Sequence, residues 1–146
     1  MTDSKPDFRT GFLAGVAHFN AREFWEAHES WEELWLVAES EIVQFLQGMI
    51  QLAAAYHHLQ RGTLRGGVRL FDAALKRLAA FPADFCAIDR KPLEAAAAAH
   101  RHWAAERLRE PGAAPGGASQ RLAGDEFPLI RMIDETSSPL PPRDDW

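Results

Sequence analysis

The stretch Phe24-Trp-Glu-Ala-His-Glu-Ser-Trp-Glu-Glu-Leu-Trp35 has the periodicity of an amphipathic helix. At about 100° per residue, one stripe of this helix carries the large apolar side chains. The members of the stripe are Phe24, Ala27, Trp31, Leu34 and Trp35. Glu26, Glu29 and Glu33 fall on the opposite side, where we expect solvent. The stretch therefore predicts a surface helix packed on an α-helical core.

Two polar residues lie at the edge of that stripe. His28 borders the apolar side, and Glu32 follows one helical turn later on the same side. Trp25 lies next to Glu32 and is expected to form the wall of a groove or to cover a subunit interface. The pattern places His28, Glu32 and Trp25 where core meets surface, as a candidate site.

The next segment, 42–60, contains no charged residue and predicts a central, mostly buried helix. Its length approaches the roughly 20 residues of a membrane span. However, five polar side chains lie inside it, and such groups are costly in hydrocarbon. They are Gln44, Gln47, Gln51, His57 and His58. We therefore reject a membrane span and predict no membrane partner.

The remaining chain predicts further helices and an irregular tail. The first helix covers about 6–20, the second 22–38, and the third runs to residue 60 with Ser40 as its cap. Gly62 is placed to end the third helix in a left-handed conformation. The fourth helix starts near 64 and is closed by Pro82, and the fifth covers 91–109. No segment alternates as a strand does. The class predicted is all-α, a compact bundle of about five helices.

The domain organisation follows from composition. Residues 1–110 form the helical bundle, built from two helical hairpins and a C-terminal helix. Residues 111–146 form a Pro/Gly-rich linker and a mostly irregular tail, of which 127–133 is expected to dock on the bundle. A faint internal repeat, offset by 40 positions, relates the two hairpins. It aligns Phe19 with Leu59 and Trp31 with Phe71, but two such units are too few for a solenoid.

Length, charge and cysteine content narrow the functional classes. A chain of 146 residues is one domain, and its net charge of −5 disfavours a nucleic-acid partner. The single cysteine, Cys86, excludes an internal disulfide framework and fits a reducing cytoplasm. The first residues lack the basic start and apolar run of a signal peptide. We predict a cytoplasmic protein.

A zinc-protease site is disfavoured by the motif itself. His28-Glu29-x-x-Glu32 lacks the second histidine of His-Glu-x-x-His, and Glu29 points away from the His28 side. His28 and Glu32 remain candidate ligands for a divalent metal at i and i+4. The third helix offers Gln47, Gln51 and His58 toward the same groove, and His58 is the best further ligand among them. The predicted metal set is His28, Glu32 and His58.

Alternatives to the metal site stay open. His28 hydrogen-bonded to Glu32 or to a glutamine would be a structural polar contact between helices. His57 points about 100° away from His58 and is interpreted as a packing residue. His100, on the inner face of the fifth helix, could complete a three-histidine site. The glutamates of the second helix are balanced by basic residues of the fourth: Arg65, Arg69, Lys76 and Arg77.

Several of these segments resemble the domain of unknown function family 309, small all-helical bacterial and archaeal proteins. The resemblance covers about 8–78 and rests on the residues Phe19-Asn20, Glu23 to Glu29, Glu32, Leu34-Trp35, Phe45 to Gly48, Ile50 to Ala53, and Gly62 with Gly67. It implies an all-helical bundle with no established activity. The family motif includes His28, Glu32, Gln47 and Gln51. Gly67 stands where the repeat has Ala27.

Two functional hypotheses follow. The first is a binding or interaction module, a helical bundle whose Trp- and Glu-rich second helix contacts a protein partner or a second copy in a homodimer. The second is a small metal-dependent or histidine-based, hydrolase-like enzyme that uses the groove of His28 and Glu32. The module requires Trp25 and the glutamates to be covered by another chain. The enzyme requires His28, Glu32, Gln47 and His58 to converge on an open pocket.

Overall fold

The protein is described by a computed structural model over residues 7–110 and 127–133. Five helices lie in these ranges: α1 Phe8–Asn20, α2 Phe24–Val37, α3 Ile42–Arg61, α4 Leu64–Leu78 and α5 Arg90–Leu108. A short 3-10 helix, Phe85–Ala87, precedes α5. The only β pairing in the described ranges is an isolated bridge between Ile88 and Met132. The predicted all-α bundle is confirmed, whereas the linker 111–126 and the tail 134–146 lie outside the described residues.

The third helix is the centre of the bundle. It packs against α2 on one side and α4 on the other, while α1 packs on α2 and α5 packs on α4. Aromatic contacts tie α1 and α5 to its buried side, since Phe19 and His100 both meet the ring of Tyr56 edge-on. Among the described helices, none is long and apolar enough to cross a bilayer.

The two hairpins turn in the same way. Arg22 and Gly62 are equivalent in the 40-residue repeat, and both adopt left-handed backbone angles, with φ of 64° and 77°. The following residue donates its backbone N–H back to a histidine carbonyl in each case: Glu23 to His18 at 2.8 Å and Thr63 to His58 at 2.9 Å. As a result α2 and α4 begin at equivalent positions. Gly62 ends α3 as predicted.

One predicted cap is wrong. Ser40 has a φ of 65° and does not cap α3 with its side chain. Glu41 occupies the cap position instead and makes no side-chain capping bond. The backbone carbonyl of Ser40 accepts from the N–H of Val43 at 3.2 Å. The left-handed turn at Ser40 therefore uses main-chain atoms where the sequence predicted a hydroxyl.

Residues 127–133 contact the bundle at both ends. Phe127 packs on Phe24, with ring centroids 5.3 Å apart, and Ile130 is buried. Asn20 holds the backbone of Ile130 twice: its Nδ2 donates to the Ile130 carbonyl at 3.0 Å, and its Oδ1 accepts from the Ile130 N–H at 2.7 Å. Ile133 N–H bonds the Ala87 carbonyl at 2.7 Å.

Candidate functional site

His28 lies at the border of the core, on the side of α2 that faces α3. Its side chain is 15% exposed, and its Nε2 lies 3.9 Å from Oε2 of Glu32, which is 48% exposed. At that distance the pair is an electrostatic contact and not a hydrogen bond. Nδ1 of His28 is buried and has no hydrogen-bond partner among the described residues. The structural alternative, a hydrogen bond from His28 to Glu32 or a glutamine, is therefore not what the described residues show.

Trp25 forms one layer of an aromatic stack on the surface. Its indole lies almost parallel to the imidazole of His28, with centroids 4.5 Å apart and an angle of 17°. The ring of His57, from α3, lies on Trp25 at 5.2 Å and 44°. Trp25 nevertheless remains 45% exposed. Contacts from two helices thus fix the orientation of a large apolar side chain that solvent still reaches.

His57 belongs to this site, although sequence reasoning placed it in the packing. His57 is half-buried on α3, and its ring packs on the exposed indole of Trp25. It is therefore a packing residue, but one that packs within the candidate site. The pKa of His57 is lowered mainly by burial, then by the positive charge of Arg61 and by the neighbouring histidines, while Glu26 opposes the shift. The contact of His57 with Trp25 could have been predicted from the antiparallel pairing of α2 and α3, because this pairing places the start of α2 beside the end of α3.

His58 is turned toward α4 instead. Its Nδ1 lies 2.6 Å from the hydroxyl oxygen of Thr63, and its ring faces the backbone at Gly66. Burial lowers the pKa of His58, and the charges of Arg61 and Arg69 lower it further. His58 therefore stands on the α4 side of α3, whereas His28 and Glu32 stand on the α2 side.

Two glutamines of α3, Gln44 and Gln51, also face α4. Gln51 accepts a hydrogen bond from Nε of Arg77 at 3.3 Å, and Gln44 accepts from Nη1 of the same guanidinium. Gln47 is half-buried. The structure thus brings together Trp25, His28 and Glu32 but separates them from Gln51.

The predicted metal set is not assembled within residues 7–110 and 127–133. No group of three or more histidine, cysteine, aspartate or glutamate residues there is arranged to hold a metal ion. His28, Glu32 and His58 are divided between two sides of α3, as described above. His100 hydrogen-bonds the hydroxyl of Tyr56 at 2.8 Å, so the three-histidine arrangement is not formed either.

The exposed faces of α2 and α4 have opposite character. The first, which we name the α2 face, consists of Trp25, Glu29, Glu32 and Leu36, all exposed. Leu36 is 70% exposed, the largest value among the exposed large hydrophobic residues of the described chain. The second, the α4 face, consists of Arg65, Arg69, Asp72 and Lys76, also exposed, and the carboxylate of Asp72 is paired with Arg101 at 2.9 Å. One face is acidic with apolar ends, and the other is basic.

Comparison with known proteins identifies a family but no activity. The chain matches none of the curated proteins with which it was compared. Residues 12–70 match the family model described as Domain of unknown function (DUF309). This range contains all the candidate site residues: Trp25, His28, Glu32, Gln47, Gln51 and His58. The resemblance predicted from the sequence is therefore confirmed by this match over residues 12–70.

Proposed function

We propose that this protein is a cytoplasmic, non-catalytic binding module that contacts a protein partner through the α2 face. The observation that carries the proposal is Trp25, which is half-exposed yet held between His28 and His57. Tryptophan is enriched where proteins bind one another, because a rigid indole covers a large area at little entropic cost. A fixed, exposed Trp25 is suited to that use.

The rest of the α2 face indicates the chemistry of the partner. Leu36 follows Trp25 by 11 residues, which is about 16 Å along a helix. Glu29 and Glu32 lie between these two apolar side chains. Apolar anchors separated by carboxylates are complementary to a surface that is basic and partly apolar. The partner proposed is a protein with such a surface.

The geometry supports an enzyme less well. An enzyme using this site requires His28, Glu32, Gln47 and His58 to converge on one pocket. Instead His58 contacts Thr63, on the other side of α3 from His28. The observation that favours the metal-dependent or histidine-based alternative is Nδ1 of His28, a buried polar atom without a partner among the described residues. Because of this unpartnered Nδ1, His28 remains a candidate metal ligand or general base for the enzyme alternative.

The test is site-specific photo-cross-linking in living cells. A photoreactive amino acid is placed at Leu36, on the α2 face, and at Leu108, an exposed leucine of α5, as the matched control. We expect a discrete adduct from position 36 only, attached to a basic segment of the partner and strongly reduced by Trp25→Ala. Equal labelling from both positions, or an adduct insensitive to Trp25→Ala, would contradict the proposal.

A further inference from the structure

The internal repeat makes the α2 face and the α4 face equivalent surfaces. Since α2 and α4 begin 40 residues apart, Trp25 corresponds to Arg65, Glu29 to Arg69, and Leu36 to Lys76. The two residues of each pair thus occupy the same position in their respective hairpins, at the same height along the bundle axis. At each of these three places one helix carries an aromatic, acidic or aliphatic side chain and the other carries a cation. At the fourth place both helices carry a carboxylate, because Glu32 corresponds to Asp72, which is paired with Arg101.

Both faces border the same half-buried strip of α3. His57 and His58 are neighbours on that strip, with ring centroids 6.2 Å apart. His57 contacts Trp25 of α2, and His58 lies against Gly66 of α4, where the charge of Arg69 acts on it. The side of the molecule around α3 is therefore acidic along one edge and basic along the other.

Most charges on these edges have no ion-pair partner among the described residues. Arg90 pairs with Glu94 of its own helix at 2.8 Å, and Arg101 of α5 pairs with Asp72 of the α4 face at 2.9 Å. In the same ranges, Glu29 and the cations of the α4 face make no ion pair. Within these ranges Glu29, Arg65, Arg69 and Lys76 are therefore free to meet opposite charge on another molecule.

We propose that the partner of the α2 face is a second copy of this chain, and that its α4 face is the complementary surface. This inference rests on the proposed function, because it names the occupant of the same site. A two-fold axis parallel to α3 places each α2 face on the α4 face of the other copy. An axis across α3 would place glutamates on glutamates, which charge repulsion disfavours.

The two-fold arrangement fixes a register. An axis parallel to α3 preserves the level along the bundle, so Glu29 meets Arg69 of the partner subunit. Trp25 meets Arg65 of the partner subunit, where a guanidinium over an indole adds a cation–π contact. Leu36 meets Lys76 of the partner subunit, whose aliphatic stem covers apolar surface while its charge remains in water. Glu32 lies opposite Asp72 of the partner subunit, and the ion pair of Asp72 with Arg101 within each subunit weakens that repulsion. Every contact occurs twice in the dimer.

The register is tested by exchanging charges and measuring mass by sedimentation equilibrium. The full chain is compared with Glu29→Arg, Arg69→Glu and the double variant carrying both changes. Each single change replaces two attractive contacts by two repulsive ones, so the dimer dissociation constant should rise at least about tenfold. The double variant reverses both charges and should restore dimerisation. Lys91→Glu, an exposed charge reversal at the start of α5, should leave the constant unchanged.

The outcomes separate this inference from the proposed function. A monomeric wild type, or a double variant as weak as the single ones while circular dichroism shows it folded, overturns the homodimer. If the cross-link from position 36 then captures a different protein through a basic segment, the proposed function stands without it. If a dimer forms but Leu36 yields no Trp25-dependent adduct, both proposals fall.

Discussion

The indole of Trp25 lies parallel to the imidazole of His28, with 4.5 Å between the ring centroids, although solvent reaches nearly half of the indole. The two residues are three positions apart on α2, so the helix itself brings them side by side. His57 from α3 adds a contact from the neighbouring helix. A core tryptophan would have been enclosed. This one is oriented but left open, as a docking residue requires.

Trp25→Ala should cost little stability compared with Trp31→Ala. Trp25 loses an aromatic stack worth about 1 kcal/mol beyond its buried area. Trp31 is fully buried, and its indole N–H donates to the Phe12 carbonyl at 3.1 Å, so its truncation should cost about 3–5 kcal/mol. Urea unfolding measures both. Equal losses would mean that Trp25 is a core residue and not a contact residue.

Gly15→Ala should destabilise the first hairpin. A methyl group at Gly15 would overlap the indole nitrogen of Trp31 and displace its hydrogen bond to Phe12. We expect a loss of about 1–3 kcal/mol from overpacking, more than the roughly 1 kcal/mol that alanine gains by helix propensity. The matched control is Gly66→Ala, whose methyl would meet only the half-buried ring of His58 at 3.1 Å. A control as unstable as Gly15→Ala would remove the steric explanation.

The equivalent turn residues should respond in opposite directions. Gly62 has a φ of 77°, so Gly62→Ala should cost about 1–2 kcal/mol, the penalty for a left-handed side-chain residue. Arg22 already bears that penalty at a φ of 64°, and Arg22→Gly should raise the free energy of unfolding by up to about 1 kcal/mol. Thermal unfolding of the two variants checks the sign. A lower free energy of unfolding in Arg22→Gly would show that the contacts of the Arg22 side chain stabilise the protein more than its left-handed backbone angle destabilises it.

Stability should fall as the pH is lowered through the histidine range. The pKa values of His57 and His58 are both lowered in the folded protein, chiefly by burial and then by Arg61. Below the ordinary histidine value of about 6.5, the unfolded chain therefore binds more protons than the folded one at these positions. The free energy of unfolding, followed by urea titration between pH 8 and 5, should decrease. The double variant His57→Asn/His58→Asn should show a shallower decrease, and an identical pH profile would contradict the assignment.

Asn20→Ala should release the segment 127–133. The side-chain amide of Asn20 bonds the backbone of Ile130 twice, through Nδ2 as donor and Oδ1 as acceptor, and each such bond contributes about 0.5–1.5 kcal/mol. Hydrogen exchange at the Ile130 amide should accelerate, while exchange in the centre of α3 should change little. Asn20→Asp keeps the acceptor for that amide and should show an intermediate rate. Unchanged exchange in Asn20→Ala would show that Phe127 and Ile130 hold the segment without Asn20.

Local features followed from the sequence because they depend on a few neighbouring residues. The buried stripe of α2, the left-handed end of α3 at Gly62 and the two hairpins are determined by helical periodicity and by glycine's conformational freedom. The adjacency of His28 and Glu32 follows from their i and i+4 spacing. Ser40 was misjudged because a cap preference is worth about 1 kcal/mol, which chain geometry at a tight connection overrides.

The sequence by itself determined that this protein is a helical bundle with polar residues at the edge of α2. Only the tertiary structure decided which of them meet. Neighbouring residues on a helix point about 100° apart, so a small rotation of α3 selects either His57 or His58 for the α2 side. That rotation is set by the packing of buried rings such as Phe45 and Tyr56, distant in sequence from His28. The same rotation turned Gln51 and His58 toward α4, because the core and not the polar stripe orients the helix.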